Sequence, residues 1–332
     1  MNALTFLIDV SILVYILSEQ YFLQIVRGMA MSTKLQIENA LLQVLQFYEN
    51  QGGPVALSQA IRHAVMPGGA RIRPQLCLAV AHACGMDDPA FTMGVAVALE
   101  LLHCGSLVHD DLPCFDNAEV RRGVASVQAA FGERLAVLTG DALIVMAFEA
   151  LVQSSQSNTS RLAPVMKMIA QGVGAPHGII AGQAWECEAK VNLNTYQKAK
   201  TGALFSAATS AGAACAGANP LIWSKLGENL GEAYQVADDI RDVLGDIHSI
   251  GKPVGKDVAL DRPSATRQFG LDGAVAYFDE LVARAIDSIP HCPGQELLQQ
   301  LVLSESERLV PNALYDRLQK ERVLGSQKSF SV

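Results

Sequence analysis

Aromatic residues make up only 6% of this 332-residue chain, and no stretch alternates apolar and polar residues for long enough to read as a strand. With half the residues apolar, much of that Ala, Leu and Val, the shortage favours packed helices over sheet. Basic charge is also short: 25 Lys and Arg against 33 Asp and Glu give a net charge of −8, which argues against a nucleic-acid partner. The seven cysteines have no metal-ligand spacing and are odd in number. They read as reduced, small, buried residues of a cytoplasmic protein. No basic segment followed by a cleavage site opens the chain, so a secretory signal is not expected. No repeat appears, and composition does not change across the polar loop SSQSNTSRL (154–162), so no domain boundary is placed there.

Residues 1–31 stand apart as an apolar extension. From Ala3 to Leu17 the only charge is Asp9. The run is short for a membrane span. Two readings remain open: an interfacial anchor giving peripheral membrane contact through residues 1–28, or a start at Met29 or Met31. The folded domain is expected over 32–322, with a disordered tail at 323–332.

Helical periodicity begins at Lys34–Tyr48 and continues at Leu57–Val65, Arg73–Cys84 and Ala90–His109. Further helices are expected at Ala125–Gln153, Met166–Gln171, Ile179–Lys190, Gln197–Ala216 and Lys225–Leu244, then two or three more near the C-terminus. The run Gln197–Ala216 is rich in Ala, which suits close packing at a bundle centre.

Two stretches carry the chemistry. His103–Gly123 reads HCGSLVHDDLPCFDNAEVRRG and holds Asp110, Asp111 and Asp116, with Arg121 and Arg122 behind them. Acids this close repel unless a cation lies between them. Clustered carboxylates suit Mg²⁺, and arginines suit its phosphate ligands. The second stretch, GEAYQVADDIRDVLGD (231–246), places Asp238 and Asp242 one helical turn apart on one face. One such cluster alone reads equally well as a solvated acidic helix end; two in apolar helices can face each other across a cavity and hold several ions. Pro113 separates Asp111 from Asp116, and a proline kink is expected to bring Asp116 back to the metals. Arg71 and Arg73 sit at a Gly-Gly turn entering a helix, where the helix N-terminus adds N–H donors for phosphate.

DDLPCFDNAEVRRG and QVADDIRD resemble the two aspartate-rich motifs of the trans-prenyl diphosphate synthases. GGARIRP (68–74), HCGSLVHDD (103–111), GQAWE (182–186), KTGALF (200–205) and GKPVGKD (251–257) follow in that family's order. The likeness is nearest to bacterial geranylgeranyl diphosphate synthases of carotenoid and bacteriochlorophyll pathways. It implies an all-α, single-domain orthogonal bundle of about ten or more helices around a central cavity, and a homodimer. It also implies 1′–4 condensation of isopentenyl diphosphate with an allylic diphosphate.

On this resemblance several Mg²⁺ ions would sit on Asp110, Asp116 and Asp238, supported by Asp111 and Asp242. Arg121, Lys200 and Lys252 would face pyrophosphate, Thr201 and Gln235 would stabilise the allylic cation, and Arg73, Arg122 and His103 would hold isopentenyl diphosphate. Ala70 stands where the family usually has Lys, and Arg71 is the candidate substitute. Gly105, one and a half turns below Asp110, and Ser106 stand where short-product relatives are often aromatic. An open floor and a C20 product from farnesyl diphosphate are therefore expected, with a C15 farnesyl diphosphate synthase as the alternative. A class I terpene cyclase would not need the second DDxxD or GGARIRP, and a non-catalytic synthase subunit would tend to lose aspartates.

Overall fold

The computed structural model describes residues 32–189, 193–244 and 264–310. The extension at 1–31, the tail at 323–332 and Lys252 lie outside the described residues. Residues 32–50 form α1, whose inward side chains Ile37, Leu41 and Leu45 recur every four residues and are buried. Next come α2 (Val55–Val65), α3 (Ile72–Ala83) and α4 (Pro89–Asp110). Helix α4 starts where Asp88 accepts from the Phe91 N–H at 3.0 Å and Pro89 takes the first helical position. It is apolar around most of its circumference and buried on most sides.

After α4 the chain forms a ribbon of β1 (Val120–Arg121) and β2 (Val124–Ala125), paired Val120 to Ala125 and Arg121 to Val124. The turn residues Arg122 and Gly123 both have positive φ, the geometry that closes a two-residue hairpin. The single helix expected over Ala125–Gln153 is therefore corrected. Ser126 caps a short α5 (Val127–Phe131), and Gly132, at φ 83°, breaks the chain before α6 (Glu133–Ser154). Beyond a 3₁₀ turn, α7 (Thr159–Val173) begins inside the expected polar loop. α8 (Ile179–Ala184) stops well short of Lys190. α9 (Leu193–Gln197) runs into a π-turn at Lys198–Gly202 and then α10 (Ala203–Cys215). α11 (Ser224–Leu244), α12 (Ala265–Asp287) and α13 (Gln295–Leu309) complete the described chain.

α10 runs through the middle, against α3, α7 and α11; α4 lies along α6, and α11 along α12. Small residues permit this. A Cβ on Gly212 would sit 2.3 Å from the Cys77 carbonyl oxygen, so the backbones of α3 and α10 touch. Cys77, Cys104 and Cys215 are buried as expected, whereas Cys114 and Cys187 are exposed; all seven thiols are free. α4 is long and apolar enough to cross a membrane, but 72% of its apolar window is buried in the bundle.

Candidate active site

α4 ends at Asp110, before Pro113, so the helix stops there rather than bending. Asp116 nevertheless returns: its N–H bonds the Asp110 carbonyl at 2.9 Å. Burial pushes the Asp110 carboxyl up from the usual range; Lys200 opposes this and the Asp116 charge adds to it. Oδ1 of Asp110 is buried and accepts no hydrogen bond. Its cationic neighbour is the Lys200 amine at 3.6 Å.

Asp111 and Arg121 form a pair. The Asp111 side chain is buried and takes the Arg121 guanidinium through both Nε and Nη2, with Nε–Oδ1 at 2.9 Å. Asp111, expected to support a metal, and Arg121, expected to face pyrophosphate, thus meet each other here. Each already neutralises the other, although Arg121 also reaches Asp110 at 3.8 Å.

The second cluster is connected to the first through the π-turn. The Thr201 hydroxyl donates to the Gln235 amide oxygen at 3.1 Å, and the Gln235 NH₂ donates to Asp239 at 3.1 Å. Lys200, one residue before Thr201, completes the link to Asp110. Asp239 serves the fold, since it is buried and accepts the Ala265 N–H at 2.7 Å, fixing the start of α12. Asp238 pairs with Arg241 one turn along α11, and Asp242 lies on the same face.

A basic pole lies at the other end of α4's last turns. Arg73 Nη1 donates to His103 Nε2 at 3.2 Å, and its guanidinium lies 4.5 Å over the Phe205 ring. Burial, then Arg73 and Arg122, hold the His103 pKa well below its usual value, so the ring is neutral and Nε2 accepts. Arg73 Nε is buried with no hydrogen-bond partner, and burial lowers the pKa of the guanidinium. Arg122 lies against Gly69 and 3.3 Å from Glu100. Arg73, His103 and Arg122 are thus brought together.

Arg71 is not with them. Its side chain has no exposed surface and is held by Glu38 at 2.9 Å, by Glu100, and by the Val65 carbonyl at 2.6 Å. Burial opposes its charge, but Glu38 and Glu100 hold its pKa above the usual value. The expected phosphate ligand and stand-in for the missing Lys at 70 is instead an internal brace. The Ala70 carbonyl accepts from Gln75 at 2.7 Å. Gly105, expected at an open floor, faces α6: a Cβ there would lie 3.2 Å from the Gly140 carbonyl and 3.4 Å from Leu143 Cβ. α6 fills that space. The Ser106 hydroxyl donates to the His103 carbonyl at 2.8 Å.

Two residues without an assigned role join the site. Glu186 binds the Lys200 amine and accepts from Tyr196 at 2.6 Å. GQAWE pointed to Glu186; nothing in the sequence pointed to Tyr196.

Among the described residues no three acid, His or Cys side chains converge as a ready-made metal cage. The orphaned buried oxygen of Asp110 still fits a cation, and Mg²⁺ needs only one or two carboxylates when phosphate and water supply the rest.

The pattern of the family described as Polyprenyl synthetase matches residues 54–292. The chain is 48% identical over 281 residues to a geranylgeranyl diphosphate synthase of Cereibacter sphaeroides, covering 85% of this chain and 98% of that one. It is 35% identical over 255 residues to the farnesyl diphosphate synthase of Geobacillus stearothermophilus, covering 73% and 83%. Among solved structures, a geranyltransferase from Helicobacter pylori, complexed with magnesium and isoprenyl diphosphate, superposes with a TM-score of 0.68 at 29% identity, covering 87% and 98%. These structural neighbours have the all-α isoprenoid synthase fold. A match that runs through both aspartate clusters and takes in nearly the whole of a relative places the chain without ambiguity: it belongs to the polyprenyl synthetase family.

Proposed function

We propose that the chain condenses isopentenyl diphosphate with farnesyl diphosphate to give the C20 geranylgeranyl diphosphate, using Mg²⁺. The observation that carries this is Asp110: a buried carboxylate oxygen without a hydrogen bond, 3.6 Å from Lys200 and connected through Thr201 and Gln235 to the second cluster. Asp110 and Asp116 on one side, and Asp238 and Asp242 on the other, would hold Mg²⁺, which neutralises the charge growing on pyrophosphate. Lys200 adds a fixed cation to the same leaving group. Thr201 and Gln235 present neutral dipoles to the allylic cation, so it is stabilised without being trapped. Arg73 and Arg122 bind the diphosphate of isopentenyl diphosphate, and His103, neutral beside them, adds no charge that would repel the two guanidiniums. The allylic C1–O bond breaks, C4 of isopentenyl diphosphate bonds to C1, and the C2 proton leaves to pyrophosphate.

The C20 length rests on the 48%-identical relatives of that name. The 35%-identical farnesyl diphosphate synthase keeps C15 as the second reading. The test is sizing the products from Mg²⁺, labelled isopentenyl diphosphate and each allylic primer. A C20 product lost with EDTA and with Asp110→Ala supports the proposal. A C15 limit overturns the length, and no condensation overturns the reaction.

A homodimer and a cytoplasmic location belong to the same proposal. Leu138, Val145 and Val152, spaced seven apart on α6, are each more than half exposed, and Val137 joins them, an apolar stripe of the kind that seals an interface. Light scattering of Val145→Arg should give a monomer where the parent chain gives a dimer.

A further inference from the structure

We infer that Tyr196 is a positioning residue: through Glu186 it keeps the Lys200 ammonium at Asp110 when divalent cations enter. The inference rests on the proposed reaction for its purpose and on the described geometry for its mechanism.

The Glu186 carboxylate is held from three sides. Tyr196 donates its O–H to Oε1 at 2.6 Å, Lys200 binds the same oxygen, and Gln183 donates to Oε2 at 3.2 Å. The backbone sets this spacing. A Cβ on Gly182 would lie 2.4 Å from the Lys200 Cα, so α8 and the π-turn touch main chain to main chain. The Lys200 amine lies 5.7 Å from the centre of the Tyr196 ring. π-turns are rare and concentrate at functional positions.

Lys200 needs such a hold. Its amine is 3.6 Å from the Asp110 oxygen expected to take a cation. A dication there repels an ammonium at that range, and a lysine on its flexible four-carbon stem swings away unless another anion restrains it. Glu186 is that anion. It serves only while it does not turn toward the incoming ions itself, and Tyr196 and Gln183 between them occupy both its oxygens.

The test is calorimetric binding of Mg²⁺ with inorganic pyrophosphate to the full chain, alongside steady-state kinetics. Tyr196→Phe keeps the ring and removes the hydroxyl. It should weaken Mg–pyrophosphate binding about 10-fold, the worth of one hydrogen bond to a charged group. KM for the allylic diphosphate should rise in step, with KM for isopentenyl diphosphate within about twofold. Glu186→Gln should lose at least as much, and Glu186→Asp should recover part. Unchanged pyrophosphate binding in Tyr196→Phe overturns the inference, as does tighter binding in Glu186→Gln. An equal loss for both substrates with a lowered Tm also overturns it in favour of a structural role. A parent chain that binds Mg–pyrophosphate but condenses nothing overturns the proposed reaction and leaves the positioning role standing.

Discussion

Replacing Arg71 with Met separates a buried brace from a phosphate ligand. Methionine keeps most of the apolar stem and removes the guanidinium. Glu100, whose side chain is 2% exposed, then loses its nearest partner. Breaking a buried ion pair by removing one member costs about 3–5 kcal/mol. The buried Val65 carbonyl also loses its donor, a further ~1–3 kcal/mol. Two features reduce the sum. Arg122 remains 3.3 Å from Glu100 and takes over part of the pairing, and Glu38 is exposed enough to resolvate. A net loss of about 3–4 kcal/mol results. At roughly 2–4 °C per kcal/mol for a domain of this size, Tm should fall by about 6–16 °C. Adding Glu100→Gln, which removes the stranded charge, should recover a good part of that. The assay is thermal unfolding followed by circular dichroism, with KM for isopentenyl diphosphate measured at a temperature where the variant stays folded. A stability within about 1 kcal/mol of the parent together with a raised KM would refute the reasoning and return Arg71 to the substrate.

Asp110→Asn should abolish turnover yet stabilise the metal-free protein by about 1 kcal/mol, because a buried, incompletely satisfied charge is removed. The sign follows from its raised pKa: the folded state disfavours the ionised form, so stability is lost as pH rises through that pKa. Mg²⁺ at 100 times its Kd should stabilise the parent by about 2.7 kcal/mol and the variant by much less, and differential scanning calorimetry reads both. His103 stays neutral in the fold, whereas the unfolded chain protonates it near pH 6.5. The unfolded state therefore binds more protons below that pH, and stability falls from pH 6.5 toward 5. His103→Gln should reduce the Tm difference between about pH 7.5 and 5.5, and an unreduced difference would count against a neutral ring. Gly212→Ala should cost about 1–3 kcal/mol, since its new methyl meets the Cys77 backbone. Gly140→Ala should cost less in the same denaturation assay, because the atoms nearest its new methyl belong to the movable ring of His109.

Much of the helical order was legible from periodicity, since apolar spacing reports one buried face. The two aspartate clusters were legible because acids rarely gather in apolar helix without a cation. What escaped the sequence depended on backbone geometry and on distant partners. FGERL reads as continuous helix, yet Gly132 adopts a positive φ and divides it. The ribbon at Val120–Ala125 is too short for an alternating pattern and depends on Arg122 and Gly123 taking left-handed conformations. Arg71 at a glycine turn has the same local signature as Arg73. Only the fold shows that Glu38 and Glu100, 33 and 29 residues away, claim its charge. Gly105 reads as a gap because glycine is small, and only the fold shows that α6 approaches it closely.

The ribbon that follows α4 sends two consecutive arginines in opposite directions, Arg121 to Asp111 and Arg122 to Glu100 and Cys104. Which goes where is decided by the place of the turn: Arg121 ends the first strand and Arg122, with positive φ, begins the turn. This stretch lies among loop residues, where insertions are ordinarily harmless. Here a single added or deleted residue would move the turn and draw the guanidiniums away from their present carboxylates. Its length is consequently constrained even where its side chains are free to vary. Anyone splicing a tag or a linker into this enzyme should leave 118–126 alone and use the exposed Gln51–Gly53 corner instead.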